Sequence, residues 1–397
     1  MKIYEIGTGY TPIPAQMGAA TEIVVEELTK AFLKLGETVR IIDIEAEDRA
    51  DTELPIIEVS VPKCFQGTDV KLGLMHKLKR VVYSVCLAFT LRRLLKNSQE
   101  KVVLHFHNQY NMFFFLLLTG KKLRQKALCA YTNHSGIWRM PWEEIATTIR
   151  KRYFQEAECM KRADVVFLLN EETKRNVMEY LAVPEERLVL VGNGVNTDVY
   201  HPLTEEQKQA AREKWGLQNC RVILQVGSVY ENKGQLRAVE YLLPLLKQHP
   251  ELVYVYAGGI VDPQYQARVE AFVQKHGLQR QIRYLGMLSP GKEVNELYNA
   301  ANTVVCISQY EAGSLAVLEA LSAGVPVTLE KNSLYSLGMG CIHLEETNRE
   351  YWLAAISEDA GRQLSCQARK NTVENFSWDK IASDYYREFE NRMKTNG

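Results

Sequence analysis

The sequence predicts an α/β protein made of two doubly wound parallel sheets, each with helices on both faces. Three observations predict it. Short β-branched or apolar runs alternate with helical periodicities along almost the whole chain. The alternation stops at a turn-rich segment, Asn193-Gly194-Val195-Asn196-Thr197-Asp198-Val199-Tyr200-His201-Pro202, and then starts again. The chain's 397 residues also exceed what one core ordinarily serves, whereas two domains of about 200 residues are a common size. The expected domains are residues 1–200 and 203–377.

Each element has its own signal. Lys2–Ile6 is an apolar run that enters a Gly/Pro-rich loop, Gly7 to Gly18. In Ala20–Leu35, the residues Ala20, Val24, Leu28, Ala31 and Leu35 form one apolar helical face, and Gly36 ends it. Strands are then expected at Val39–Ile44, Val102–His107, Leu128–Thr132, Asp164–Leu169 and Arg187–Val191, each running into a polar or Gly-rich loop. After the break come a helix at Glu205–Trp215 and strands at Val222–Val226, Leu252–Ala257, Ile282–Leu285, Thr303–Ser308 and Val325–Leu329.

Composition excludes several function classes. Lys plus Arg and Asp plus Glu number 48 each, so no global positive field points to nucleic acid. An apolar content of 46% is that of a globular protein and not of a disordered chain. The eight cysteines are scattered, with no C-x-x-C pair and no histidine at metal-ligand spacing. Together with a start that goes straight into a strand, this leads us to expect a reduced, cytoplasmic protein. The longest apolar runs, such as Met112 to Leu118, are far too short to span a bilayer. Residues 70–97 interleave Lys71, Lys77, Lys79, Arg80, Arg92, Arg93 and Lys96 with apolar residues. That composition suits a peripheral contact with an anionic leaflet, although a solvated helix face is its commoner meaning.

Open parallel sheets bind ligands beyond the carboxyl ends of their strands, so polar clusters there are the candidate sites. The most informative is Tyr310 to Val327. Gly313 and Ser314 open a helix, good helix formers carry it, and Gly324 with Pro326 stops it. The first N–H groups of a helix carry partial positive charge and suit a diphosphate. Glu311 precedes that seat and Glu319 lies two turns inside the helix. Gly227-Ser228-Val229-Tyr230-Glu231-Asn232-Lys233-Gly234 follows another strand, and a lysine there can reach phosphate oxygens. In the first half, His105-Phe106-His107-Asn108 and Tyr131-Thr132-Asn133-His134 end two strands, where histidines serve hydroxylated ligands or cap backbone groups. A zinc site from His105, His107 and His134 is conceivable, but no carboxylate or cysteine completes the set.

These residues resemble the retaining nucleotide-sugar glycosyltransferases of family 4. Glu311 and Glu319, followed by Ala320-Leu321-Ser322-Ala323-Gly324-Val325-Pro326-Val327, match that family's E-x7-E signature. Gly192-Asn193-Gly194-Val195-Asn196 with Pro202 resembles its domain junction, and Gly227 to Gly234 its donor loop. Phe376-Ser377-Trp378-Asp379-Lys380-Ile381-Ala382 resembles the entry to its final crossover helix.

The resemblance implies the GT-B arrangement. Two Rossmann-like doubly wound domains face each other across a cleft, and a C-terminal helix, 378–397, crosses back to the acceptor-side first domain. It implies that Lys233 contacts the donor diphosphate, together with N–H groups of Gly313, Ser314 and Leu315, while Gly227 and Ser228 line that loop and Gly18 closes from the first domain. Glu311 would bind the donor sugar hydroxyls, Glu319 the ribose, Met287 the base through its backbone, and His134 would lie near the sugar's reactive face. His105, His107 and Asn108 are acceptor-side candidates. The family needs neither metal nor cofactor, and no D-x-D motif occurs here. The expected partners are a UDP- or GDP-sugar and a carbohydrate or lipid-linked acceptor, as in cell-surface polysaccharide or glycolipid synthesis.

Two departures stand out: Ser228 replaces the family's usual arginine, and Ser314 a frequent glycine. The first removes a positive charge from the leaving-group site. It keeps a weakly active nucleotide-sugar-binding relative, alongside a nucleotide-sugar epimerase of the same architecture, as the alternative readings.

Overall fold

The computed structural model describes residues 1–15, 19–66, 74–148, 153–330, 341–344 and 358–395. The chain divides into two compact units, Met1–Asn193 with Trp378–Gly397, and Gly194–Ser377. The expected pair of doubly wound parallel sheets is what forms.

In the first unit, seven strands make one parallel sheet: β1 (Lys2–Ile6), β2 (Thr38–Ile44), β3 (Ile56–Val59), β4 (Val102–Phe106), β5 (Ala127–Thr132), β6 (Val165–Leu168) and β7 (Leu188–Leu190). Their spatial order is β3-β2-β1-β4-β5-β6-β7. The chain therefore winds outward from β1 to one edge and restarts at β4 toward the other. Parallel strands covered on both faces are apolar throughout, and β1, β4, β5 and β6 are buried almost without exception.

The final helix, Trp378–Thr395, belongs to this unit and packs on helix Ala20–Lys34. Phe389 meets Phe32 at a ring-centroid distance of 6.3 Å, Lys34 pairs with Asp379, and Arg392 donates to the carbonyls of Asp164 and Glu186.

The second unit holds β8 (Arg221–Val226), β9 (Leu252–Ala257), β10 (Ile282–Tyr284), β11 (Thr303–Cys306), β12 (Val327–Glu330) and β13 (Cys341–Leu344). They are parallel, in the order β10-β9-β8-β11-β12-β13. The segment after Asn193 is tied down within this unit. Val195 N–H donates to the Phe376 carbonyl at 2.8 Å, and Arg369 reaches the carbonyls of Tyr200 and Thr197. Glycines are required where loops touch. At Gly258, with φ of 149°, a Cβ would lie 2.1 Å from the Gly227 carbonyl oxygen.

Two strands were not anticipated, β3 and β13, both at sheet edges. An edge strand is held on one side only, so a short apolar run carries its whole signal. β4 ends at Phe106, so His105 lies inside the strand and His107 just beyond it.

Candidate functional site

Each sheet has one point where the strand order reverses: between β1 and β4 in the first unit, and between β8 and β11 in the second. Loops diverge there and leave a crevice at the strand ends. The Glu5–histidine cluster and the Lys233–Glu311 pair lie at these points.

In the second unit the loops after β8 and β11 are stitched together by Asn232. Its backbone carbonyl accepts from Gln309 N–H at 2.9 Å, its side chain accepts from Tyr310 N–H at 3.0 Å, and it donates to the Tyr310 carbonyl at 3.1 Å. Gln225, inside the strand, donates to the Lys233 carbonyl at 2.7 Å and accepts from Tyr254 Oη at 2.7 Å. Gly234, in a left-handed conformation with φ of 73°, lets the chain turn into helix Gln235–Gln248 against the Ile307 carbonyl. The outcome is that Lys233 Nζ and Glu311 Oε2 meet at 2.5 Å, both mostly buried. Burial disfavours the ammonium, but the Glu311 carboxylate outweighs it and holds the Lys233 pKa above its ordinary value.

Helix Leu315–Ser322 starts directly after this pair, with Ser314 as its N-cap residue. Glu319 sits inside the helix and accepts from Tyr298 Oη at 2.8 Å; burial raises its carboxyl above the ordinary value, against the hydrogen bonds from Tyr298 and Tyr200. Ser228 offers its carbonyl to Gln235 at 3.0 Å. Met287 follows Gly286 at the end of the β10 segment and is 45% exposed. Lys233, Glu311, Gly313, Ser314 and Leu315 are thus brought together, whereas Gly18 lies outside the described residues. Two surface concavities, of about 580 and 630 Å³, flank helix Glu205–Lys214 and contain none of these residues.

In the first unit, register builds the cluster. β1 and β4 pair with Glu5 opposite His105, and β4 and β5 with His105 opposite Ala130. Side chains alternate between faces, so Glu5, His105 and His107, with Thr132 and His134, share one side of the sheet. That side is covered by the final helix: the His105 ring lies 5.2 Å from Tyr385 and 5.5 Å from Phe389.

Glu5 Oε1 is 2.9 Å from His105 Nδ1, and Oε2 is 2.7 Å from His107 Nε2. His105 Nε2 meets Thr132 Oγ1 at 2.7 Å, which meets Tyr385 Oη at 3.2 Å. His107 Nδ1 meets His134 Nε2 at 3.0 Å. Burial alone would raise the Glu5 pKa, yet its two histidine partners pull it down to about 2, so it is an anion. Burial, then His105, lowers His107 to about 4; burial, then His107 and His105, lowers His134 well below its usual value.

These positions alter the sequence expectation for the first domain. His105 has no exposed surface and His107 only 4%, and the His105 ring packs against Tyr385 and Phe389 of the final helix rather than facing solvent. Asn108 caps helix Gln109–Leu118 by accepting from Tyr110 N–H at 2.9 Å, and donates to Tyr10 Oη at 2.7 Å. His134 alone of the three histidines keeps appreciable exposed surface. The carboxylate found wanting for a metal set is Glu5. Its oxygen and ring nitrogens of His105 and His107 lie within 4.8 Å of one another, a spacing that could surround an ion. Each of those atoms already has a hydrogen-bonding partner, and the proton pattern closes without an ion. Glu5 escaped the sequence reading; the signal that could have found it is a single carboxylate inside a fully buried parallel strand.

Residues 21–199 match the family model described as Glycosyltransferase Family 4, and residues 207–334 that described as Glycosyl transferases group 1. The alpha-maltose-1-phosphate synthase of Mycolicibacterium smegmatis is 23% identical over 315 residues, covering 73% of this chain and 79% of the relative. Two other curated relatives are matched over 61% and 57% of their own length. Among solved structures, the sucrose-phosphate synthase of Thermosynechococcus elongatus superposes with a TM-score of 0.76 at 19% identity, covering 99% of each chain. Anabaena HepE in complex with UDP and glucose gives 0.72 at 15% identity, over 98% of this chain and 99% of that one. At these identities the superpositions establish the GT-B-like fold.

Proposed function

The chain belongs to the glycosyltransferases of group 1 and family 4, and from that premise we propose that it transfers a hexosyl group from a UDP- or GDP-sugar to a hydroxyl acceptor, with retention and without a metal ion. The observation that carries the reading is the Lys233–Glu311 pair at the start of helix Leu315–Ser322. In glycosyl transfer the anomeric carbon becomes oxocarbenium-like while the diphosphate leaves with growing negative charge. A fixed ammonium and helix-start N–H groups oppose that charge without reorganising. Lys233 would exchange Glu311 for the diphosphate, and Glu311 would turn to the sugar hydroxyls. Its partner in the helix, Glu319, would take the ribose, and Met287 the base. The two glutamates are not cast as an acid/base pair; the leaving phosphate takes the acceptor proton on the same face.

Lys233→Ala and Glu311→Ala should each lower transfer about a hundredfold or more, the scale of losing one preorganised group at a developing charge. Wild-type turnover in both would remove this assignment. Ser228, where an arginine is usual, favours one other outcome: donor binding with neither transfer nor hydrolysis, the behaviour of a binding relative. Conversion of the donor alone would instead identify an epimerase.

The acceptor is read as a carbohydrate or a lipid-linked saccharide of cell-surface polysaccharide or glycolipid synthesis. Helix Leu74–Asn97 supports a peripheral place at the inner face of the membrane. It exposes Met75 (60%), Leu78, Val81 and Phe89 (54%) beside Lys77, Arg92, Arg93 and Lys96. Among the described residues no helix is long and apolar enough to cross a membrane.

A further inference from the structure

We propose that Glu5 is a positioning residue: acting through His107, its carboxylate fixes His134 as the Nε2–H tautomer and so presents Nδ1 as an acceptor for a hydroxyl of the bound substrate. The inference rests on the reading above only in placing substrate at His134.

The argument is one of donors and acceptors. An ionised carboxylate can only accept, so both histidine atoms facing Glu5 must carry protons: His105 Nδ1 at 2.9 Å and His107 Nε2 at 2.7 Å. A neutral imidazole has one N–H, so His107 Nδ1 is bare. The atom 3.0 Å from it, His134 Nε2, must then be the donor. That leaves His134 Nδ1 as a lone pair, and no described residue hydrogen-bonds to it. On the other branch, His105 Nε2 lies 2.7 Å from Thr132 Oγ1, which lies 3.2 Å from Tyr385 Oη, and a hydroxyl can serve either direction there. The protons between Glu5 and His134 are thus assigned from one buried anion.

The consequence is directional. A free histidine offers either a donor or an acceptor at its exposed edge, whereas here only the acceptor is available. Burial of Glu5, His105 and His107 keeps water from supplying the proton that would reverse the chain. His134 therefore favours a substrate hydroxyl that donates and disfavours a carbonyl or an ether oxygen at the same place. Specificity of this kind comes from the polar group that would be left unpaired with the wrong partner.

The test uses the full chain with nitrogen-15-labelled histidine. Long-range proton–nitrogen correlation spectra at neutral pH, assigned with His134→Gln, distinguish a protonated from a bare ring nitrogen. His134 is expected to show a protonated Nε2 and a bare Nδ1. Glu5→Gln keeps the shape but offers one acceptor and one donor, so it can no longer receive both histidine protons. In that variant the His134 tautomer should become mixed and kcat should fall about tenfold, while KM for the donor stays within about twofold.

A proton on Nδ1 of His134 in the unaltered protein overturns the proposal. So does an unchanged His134 spectrum in Glu5→Gln. Stoichiometric metal found by elemental analysis would replace the hydrogen bonds with coordination, and overturns it too. The spectra need no substrate, so a protein that neither binds nor consumes any nucleotide sugar would defeat the proposed transfer while leaving the tautomer measurement to decide the relay.

Discussion

At the scale of residues, buried ionisable groups in the first sheet set a pH response. Burial holds the His107 imidazole down to about 4 in the folded chain, below a histidine's ordinary 6.5, because it disfavours the charged form. The unfolded chain therefore binds that proton first, and stability is lost as pH falls below about 6.5 toward 4. Glu5, lowered from 4.5 to about 2, adds a loss of the same sign between those values. His107 alone should cost the first unit on the order of 2 kcal/mol between pH 7 and pH 5; His134, also held neutral by burial, adds a loss of the same sign, and Glu22, raised to about 7 by burial, adds a gain of the opposite sign. Denaturant unfolding at both pH values, followed by a probe in that unit and compared between the unaltered protein and His107→Gln, isolates that share; the same pH response in both proteins would mean that His107 is not held neutral.

What was legible at this scale followed sequence distance. Lys233, Glu311 and Glu319 were readable because each stands in a local pattern, a loop opening a helix. Glu5 was not, because its partners lie 100 and 102 positions away and only the parallel register of β1 against β4 unites them.

At the scale of elements, the long buried strands and the helix at Ala20–Lys34 were legible to within a residue or two, since one periodicity runs through each. The edge strands β3 and β13 were not, having few residues and one neighbour. Helix Leu74–Asn97 was readable as amphipathic and basic, though not for what it faces. Its exposed Met75, Leu78 and Phe89 sharpen the expectation. The protein should co-sediment with anionic vesicles at low salt and lose much of that binding in high salt, because screened lysines and arginines each contribute about 1 kcal/mol at a charged surface. Absence of binding to anionic vesicles at low salt would make this a solvated face.

At the scale of the whole molecule, the class of fold could be read because alternating strands and helices admit few arrangements other than wound parallel sheets. The donor base, the sugar and the acceptor could not, since these are chosen by a few side chains whose neighbours come from distant segments. A panel of nucleotide sugars resolves the first two by mass action: a donor at a hundred times its Kd should stabilise the fold by about 2.7 kcal/mol. The matching compound should raise the melting temperature well above the others, and a flat response across UDP-, GDP- and ADP-sugars would contradict a donor site in the second unit.

The return of the last helix to the first sheet has a consequence for how the protein is made. Ribosomes deliver Tyr385 and Phe389 only after the whole of Gly194–Ser377, yet these rings close over His105 and Phe167. The strands of the first unit must therefore wait with one face uncovered while Gly194–Ser377 acquires all of its own chain. The half translated first is thus the half completed last.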